Sequence, residues 1–183
     1  MADVTPLRGE LVRLRARIEA DVRILDEELH DDVVTAARGT QRPWRPMTPG
    51  HSSSHHRVKE PSAEAASFSV VELATDTLAG TAGLWGIDAH NRSAHLGLGL
   101  RPAFRGKGLG TDIVRVLCHY GFVVLGLHRL QIDTLADNHA MLAAAERVGF
   151  RRETVHRQSA WVLGEFLDEV VLGLLAREHD ARS

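Results

Sequence analysis

Cysteine and long apolar segments are nearly missing from this 183-residue chain, and each absence excludes a class of protein. Cys118 is the only cysteine, so no intramolecular disulfide can form, and its place in an apolar helical pattern predicts an inert buried thiol. No apolar run approaches the roughly 20 residues needed to cross a bilayer. Early acidic residues and the lack of an apolar h-region argue against a signal peptide. We therefore expect a cytoplasmic protein with no membrane partner.

An excess of charge of one sign is missing as well. The 22 basic and 24 acidic residues give a net charge of −2, so no electrostatic field favours nucleic acid as a partner. The hydrophobic fraction of 44% suffices for the full core of one domain. His51 and His55 have the i, i+4 spacing of helical metal ligands, but the serines between them favour turns and no third ligand is evident. We expect no metal.

Three glycines occur within residues 105–110, between a strand-like run and a helix-like run. Glycine permits a positive φ and the close approach of a ligand, and a helix N-terminus offers unpaired N–H groups to an anion. Arg105 and Lys107 add positive charge there. The glycine spacing differs from the Rossmann fingerprint, and no Gly-Lys-Ser/Thr occurs. The segment therefore predicts a phosphate-binding loop, with a plain structural turn as the alternative.

The runs on either side of this loop predict a β-α-β unit. Residues 94–100 alternate leucine with small residues, which is typical of a strand that buries one face. Gly97 and Gly99 leave its other face open to a backbone or an elongated ligand. Residues 111–125 are apolar around most of a helix and predict a buried one, and residues 128–135 predict the second strand. Next, Asn138 and Gly149 have the positions of an N-cap and a C′ glycine.

The rest of the chain has weaker signals. Periodicity and turn residues predict strands over residues 10–15, 68–73, 78–87, 153–158 and 166–174. A helix is predicted over residues 19–30. A second helix is expected within the polar stretch 48–66. No internal repeat or linker separates these elements, which indicates a single domain.

Two of these motifs together resemble the GNAT superfamily of acyl-CoA-dependent N-acyltransferases. Arg105, Gly108 and Gly110 match its pyrophosphate loop, Arg/Gln-x-x-Gly-x-Gly/Ala, and residues 138–150 look like its asparagine-initiated helix ending in Gly-Phe. Residues 7–15 and 164–169 resemble the RimJ/RimL-like branch of ribosomal-protein N-terminal acetyltransferases. The resemblance covers nearly the whole chain. It implies an α/β (α+β) fold, in which residues 1–183 form one GNAT-like domain with a mixed, mostly antiparallel sheet of about seven strands flanked by helices.

The resemblance also implies a ligand and a site. The expected co-substrate is acetyl-CoA, the acceptor is a primary amine of a protein N-terminus or a small molecule, and a homodimer is compatible with it. A non-catalytic acyl-CoA-binding or regulatory domain is the alternative. The residues expected to hold the acyl-CoA lie on the strand, the loop and the following helices: Leu98, Leu100, Arg105, Gly106, Lys107, Gly108, Gly110, Thr111 and Asn138.

Proton transfer has fewer candidates. The family often has a glutamate near the start of the strand before the loop, where this chain has His95. Imidazole titrates at about pH 6.5, so His95 can accept a proton, or it can merely line the pocket. Met141 stands where the N-terminal acetyltransferase branch tends to carry serine, and Tyr120, the only tyrosine, falls in the packed helix. No general acid is therefore apparent.

The acceptor is constrained only by its basicity. An α-amine with a pKa of about 7.7–8.0 needs about 1 kcal/mol to be neutral at pH 7, whereas a lysine-like amine at about 10.4 needs about 4–5 kcal/mol. We expect Trp44 and Trp85, at the ends of predicted elements, to form a wall of the acceptor site, with ordinary core filling as the alternative.

Overall fold

A seven-stranded mixed sheet lies at the centre of the structure, a computed structural model that describes residues 7–40 and 42–180. The spatial order of the strands is β1-β2-β3-β4-β5-β7-β6, and only β4 and β5 run parallel. This confirms the mixed, mostly antiparallel sheet. The strands are β1 (Val12–Ala16), β2 (Ala65–Glu72), β3 (Thr77–Asp88), β4 (Ser93–Leu100), β5 (Arg129–Leu135), β6 (Arg151–Val162) and β7 (Glu165–Leu175).

Helices flank the sheet. In the described residues they are α1 (Glu19–Leu25), α2 (Val33–Thr40), α3 (Leu109–His119), α4 (His139–Val148) and α5 (Ala176–Asp180). A π-helical turn follows α1 at Asp26–His30 and another follows α3 at Tyr120–Val124. The helix predicted over residues 19–30 is thus α1 with its π-turn. The one predicted over residues 111–125 is likewise α3 with the turn that follows.

The main core lies between the sheet and the α3–α4 pair. Ala94 and Leu96 of β4 and Leu130 and Ile132 of β5 are buried because alternate residues of a strand face the same side. They pack in one cluster with side chains of both helices, namely Ile113, Leu117, Leu142, Ala145 and Val148. Cys118 is fully buried here, and burial raises the pKa of its thiol. The prediction of an inert core thiol is therefore supported.

The helix predicted within residues 48–66 is wrong. Residues 42–64 form turns and irregular chain, and the second helix is α2, earlier in the sequence. The Gly50 N–H, the Ser54 hydroxyl and the His56 ring all hydrogen-bond to the carboxylate of Asp26, which holds this segment in turns. The start of α2 was missed because its capping residue, Asp32, is followed by valines, which have low helix propensity.

One buried carboxylate fixes the first turn of α3 against the start of β1. Asp112 is 3% exposed and accepts hydrogen bonds from the backbone N–H groups of Glu10, Leu11 and Val12 at 2.8–3.2 Å. A Cβ on Gly9 would lie 2.4 Å from an oxygen of this carboxylate, so a side chain does not fit there. The segment before β1 and the first turn of α3 are therefore held together.

Candidate active site

The two parallel strands at the centre of the sheet separate after three residue pairs. Ser93, Ala94 and His95 of β4 pair with residues 129–131 of β5, and the pairing ends there. Beyond this point β4 stays paired with β3 as far as Leu100, and β5 stays paired with β7 as far as Leu135. The facing edges of β4 and β5 are therefore unpaired, and we call the space between them the central opening.

The unpaired edge of β4 presents backbone groups to this opening. In an antiparallel strand, successive residues direct their N–H and C=O groups alternately toward one neighbour and the other. Alternate residues from Leu96 to Leu100 must then direct these groups away from β3, and residues 97–100 are half-buried. This includes the segment of Leu98 and Leu100 predicted to bind acyl-CoA. An extended ligand with amide groups can pair there as a strand would.

The glycine loop lies between the end of β4 and α3. Gly106 and Gly108 have φ of +73° and +81°, which strongly favours glycine. Gly108 is also the N-cap of α3 and provides no side-chain cap, so the first N–H groups of the helix, including that of Thr111, lack one. No atom lies within 4 Å of a Cβ built on Gly106. The loop thus combines open space with backbone donors, which fits a pyrophosphate.

The two cations of the loop are exposed but not free. Arg105 donates from Nε to the Leu100 carbonyl at 3.0 Å and from its guanidinium to the Thr35 hydroxyl at 3.3 Å. Lys107 Nζ lies 3.8 Å from a carboxylate oxygen of Glu72 and 5.0 Å from the centroid of the Phe104 ring. Both side chains are therefore positioned by neighbours beside the loop.

Gly110 and Asn138 lie at the starts of the two helices that border the opening. A Cβ on Gly110 would lie 4.0 Å from the Cβ of Ala144, an ordinary contact between α3 and α4, so packing alone does not require glycine there. Asn138 caps α4: its Oδ1 accepts the Met141 N–H at 3.3 Å, and its Nδ2 donates to the Thr134 hydroxyl at 3.0 Å. The predicted N-cap is confirmed. Asn138 lies just beyond the end of β5, which forms the other side of the opening.

His95 lies where the central opening begins and is paired with a carboxylate. Its Nδ1 is 2.6 Å from Oδ2 of Asp133, which is two residues beyond the β5 partner of His95. Because a carboxylate only accepts hydrogen bonds, Nδ1 carries the proton. Among the described residues Nε2 has no hydrogen-bond partner, and 39% of the side chain is exposed. A neutral imidazole so arranged presents an acceptor nitrogen to a ligand.

The two tryptophans predicted to line the acceptor site belong to different clusters. Trp85 stacks on His95, with ring centroids 5.8 Å apart and planes at 19°. Its indole also covers Gly97, where a Cβ would lie 2.8 Å from the ring, so Gly97 makes room for Trp85 rather than for a ligand. Trp44 instead stacks on His30 and donates to its carbonyl at 2.8 Å.

Helix α2 lies across the carboxyl end of the opening. Its Thr35 contacts Arg105 after β4, and its Arg38 pairs with Asp137 after β5 at 2.5 Å. Ala37 packs against a small apolar cluster of Leu135, Ala160 and Val162, the last two on the β6–β7 hairpin. Helix α2 and the β6–β7 hairpin are therefore in contact.

Asp133 was missed by sequence reasoning. The available signal was the alternation Arg129, Gln131, Asp133 along β5, which puts three polar side chains on the face opposite the buried Leu130 and Ile132. Its pairing with His95 depends on the strand register, which the sequence does not specify. As for metals, the described part of the chain brings no three histidine, cysteine or acidic side chains together. None of its helices is long and apolar enough to span a bilayer.

Comparison with known proteins agrees with this geometry. The model of the acetyltransferase (GNAT) domain family matches residues 12–151, from β1 to the start of β6. The chain belongs to the GNAT acetyltransferase family. The match includes both sides of the central opening, the glycine loop and α4. GNAT acetyltransferases use acetyl-CoA.

Individual relatives match only part of the chain, at moderate identity. The chain is 30% identical over 112 residues to an uncharacterized N-acetyltransferase, p20 of Bacillus licheniformis. The matched stretch covers 61% of this chain and 63% of that protein. It is 36% identical over 102 residues to YdaF of Bacillus subtilis (strain 168), provisionally named a ribosomal N-acetyltransferase, covering 56% of each. Both matches cover less than two thirds of the relative's length.

Solved structures match over most of the chain. A spermidine N-acetyltransferase from Vibrio cholerae, in complex with CoA and spermine, superposes with a TM-score of 0.77 at 18% identity, covering 93% of this chain and 99% of that one. A probable acetyltransferase superposes with a TM-score of 0.75 at 25% identity, covering 93% and 96%. Because the identity to the spermidine enzyme is only 18%, that similarity shows the fold alone.

Proposed function

We propose that this GNAT-family protein is an acetyl-CoA-dependent N-acetyltransferase that transfers the acetyl group to a primary amine by direct attack in a ternary complex. The observation that carries the proposal is the central opening: an unpaired β4 edge leads to a glycine loop at one end, and a histidine with an available nitrogen lies at the other. This arrangement has a backbone ladder for an extended amide-containing arm and donors for a pyrophosphate.

The residues around the opening fit acetyl-CoA. Backbone groups of Leu98 and Leu100 would pair with the pantetheine arm, and an N–H of this segment would polarise the acyl carbonyl. The pyrophosphate would be held by the loop from Arg105 through Gly110 and the first turn of α3, including Thr111, and Asn138 would border the arm from the other side. Acetyl-CoA supplies an activated thioester. A backbone donor at such a carbonyl contributes roughly 3–4 kcal/mol to transition-state stabilisation.

His95 is proposed to accept the proton of the amine. Its Nδ1 is engaged by Asp133 and its Nε2 is available, so the ring has one nitrogen for positioning and one for proton transfer. Trp85 stacks on the ring and forms an apolar wall beside it. We propose that the acceptor approaches His95 past Trp85, which is 46% exposed. We propose Trp85 alone as the wall beside His95, because Trp44 packs on His30 in a separate cluster.

The acceptor class that this site suits is a weakly basic primary amine, such as a peptide N-terminal α-amine. Removing a proton from such an amine at neutral pH needs about 1 kcal/mol, within reach of one imidazole, whereas a polyamine nitrogen needs several times more. The similarity to YdaF, named as a ribosomal N-acetyltransferase, supports the same direction. A small-molecule amine of similar basicity is the second candidate.

Release of free CoA thiol over a panel of amines tests the proposal. The purified protein is incubated with acetyl-CoA and, in turn, short peptides with free N-termini, a Nα-blocked lysine peptide, spermidine and an aminoglycoside, and thiol is detected with a disulfide dye. We expect amine-dependent release with free-N-terminus peptides and slower release with lysine and spermidine. Tight acetyl-CoA binding without release for any amine would instead support the non-catalytic alternative.

A further inference from the structure

We propose that Asp133 is a positioning residue that fixes the tautomer and the ring orientation of His95. This inference rests on the proposed function, in which His95 accepts the proton of the amine. Asp133 has no role in the sequence motifs of the loop or of α4. Its assignment comes from the contacts between β4 and β5 at the start of the central opening.

The contact itself determines which nitrogen is available. Oδ2 of Asp133 lies 2.6 Å from Nδ1 of His95, and hydrogen bonds to an ionised acceptor are the short ones. With the proton held on Nδ1, the lone pair of the neutral ring is on Nε2. When the ring takes up the amine proton, the same carboxylate faces the imidazolium and stabilises it. Trp85 stacks on one face of the ring and restricts its rotation.

Asp133 is in turn held by a chain of polar side chains on the same face of the sheet. Gln131 donates from Nε2 to Oδ1 of Asp133 at 2.9 Å, and its Oε1 accepts from Arg129 at 3.3 Å. Arg129 forms a two-point ion pair with Glu153 on β6. Each carboxylate oxygen of Asp133 thus has one partner, which defines its orientation as well as its position.

The ion pair between Arg129 and Glu153 crosses β7 at Gly173, which has no side chain. A Cβ on Gly173 would lie 2.3 Å from a carboxylate oxygen of Glu153 and 2.7 Å from a guanidinium nitrogen of Arg129. Gly173 therefore gives space for the pair to lie directly on the strand.

Asp133→Asn would exchange donor and acceptor in the hydrogen bond with His95. Because Gln131 donates to Oδ1, the carbonyl oxygen of an asparagine would keep that bond and turn its NH2 group toward His95. Nδ1 of the imidazole must then accept, so the proton moves to Nε2. The nitrogen that faces the acceptor would carry a proton instead of a lone pair. Asp133→Asn thus changes the tautomer with little change in shape.

The first measurement is the tautomer of His95 by nitrogen-15 NMR of the full-length protein labelled at histidine, with the His95 signal assigned by its loss in His95→Gln. We expect the Nδ1–H form in the wild type and the Nε2–H form in Asp133→Asn. The matched control is Asp76→Asn, an exposed aspartate paired with Arg13 in the β2–β3 turn, which should leave the spectrum of His95 unchanged. An Nε2–H tautomer in the wild type would overturn the proposal, whatever the protein's activity.

The second measurement relates the tautomer to turnover. Asp133→Asn should lower kcat/KM about tenfold for a weakly basic acceptor and about 10²-fold for a strongly basic one, with the KM for acetyl-CoA unchanged. In the double variant with His95→Ala the losses should not add, since both act through one group. Additive losses, or a changed tautomer with wild-type turnover, would overturn the positioning role. An inactive wild type with the Nδ1–H tautomer would contradict the proposed function alone.

Discussion

Single residues at the glycine loop have a conformation that side chains rarely adopt. Gly108, with φ of +81°, begins α3 and lies beside the space proposed for the pyrophosphate. Gly164 in the β6–β7 hairpin has a comparable φ of +98° and no atom near its would-be Cβ. A side chain would therefore cause similar backbone strain at the two positions. Because Gly164 lies outside the glycine loop, it serves as the control for Gly108.

Gly108→Val should abolish acetyl-CoA binding while the protein stays folded, because the side chain would fill the space in front of the helix N-terminus. Both Gly108→Val and Gly164→Val should lose about 1–3 kcal/mol of stability from the strained φ. Isothermal titration calorimetry with CoA, combined with urea unfolding, separates the two effects. Unchanged CoA affinity in folded Gly108→Val would show that the loop is only a structural turn.

His95→Ala should lower kcat/KM about tenfold for a weakly basic amine, which is less than a general base usually contributes, and 10²-fold or more for a strongly basic one, which is within the usual range. The reason is the pKa gap, since an α-amine is already partly neutral at pH 7. His90→Ala, on the exposed β3–β4 turn, is the control and should retain wild-type rates. If His95→Ala matches the wild type for every accepted amine, His95 is only a pocket wall.

At the scale of secondary-structure elements, Asp112 joins α3 to the chain before β1. Asp112→Ala would leave three N–H groups of residues 10–12 without their acceptor, and we expect a loss of about 2–4 kcal/mol in the free energy of unfolding. Asp76→Asn, which removes an exposed ion pair but keeps a residue type that tolerates the φ of +53° at this position, should change it by about 0.5 kcal/mol or less. Urea unfolding measures both. Equal losses in the two variants would mean that water replaces the Asp112 carboxylate.

Local sequence patterns predicted most elements but not the partners across the sheet. The alternation in β4, the apolar helix after the loop and the Asn138 cap are properties of short segments, and each is confirmed. The polar segment 48–66 was mistaken for a helix because its turns depend on Asp26, more than 20 residues earlier. The pairing of His95 with Asp133 likewise depends on the β4–β5 register, so the family resemblance could suggest His95, but no local pattern could suggest its partner.

Over the whole molecule, acid should remove stability through buried carboxylates. Burial alone would raise the pKa of Asp21, but hydrogen bonds from Arg15, from the Ser69 hydroxyl and from the Ile18 N–H outweigh it and lower the pKa to about 2. A pKa below the unfolded value of about 3.9 contributes stability above that value, and this contribution is lost as the pH falls toward 2.

Asp21→Asn should therefore reduce the pH dependence of stability. We expect the wild type to lose about 2 kcal/mol more than Asp21→Asn between pH 5 and pH 2, with the variant less stable at pH 7. Urea unfolding at half-unit pH steps gives the two curves, whose difference removes the contributions of other carboxylates. Parallel curves would show that the pKa of Asp21 is the same in the folded and unfolded chain.

Strand pairing between the two antiparallel blocks of the sheet, β1–β4 and β5–β7, is limited to three residue pairs. Backbone hydrogen bonds across the sheet are therefore fewest at its middle, and an extended ligand paired with β4 would add to them there. Acetyl-CoA should therefore slow amide hydrogen exchange most along β4 and β5 beyond His95 and Gln131, and least in the β1–β2 pair. Bound acetyl-CoA would then pair with β4 as an additional strand does.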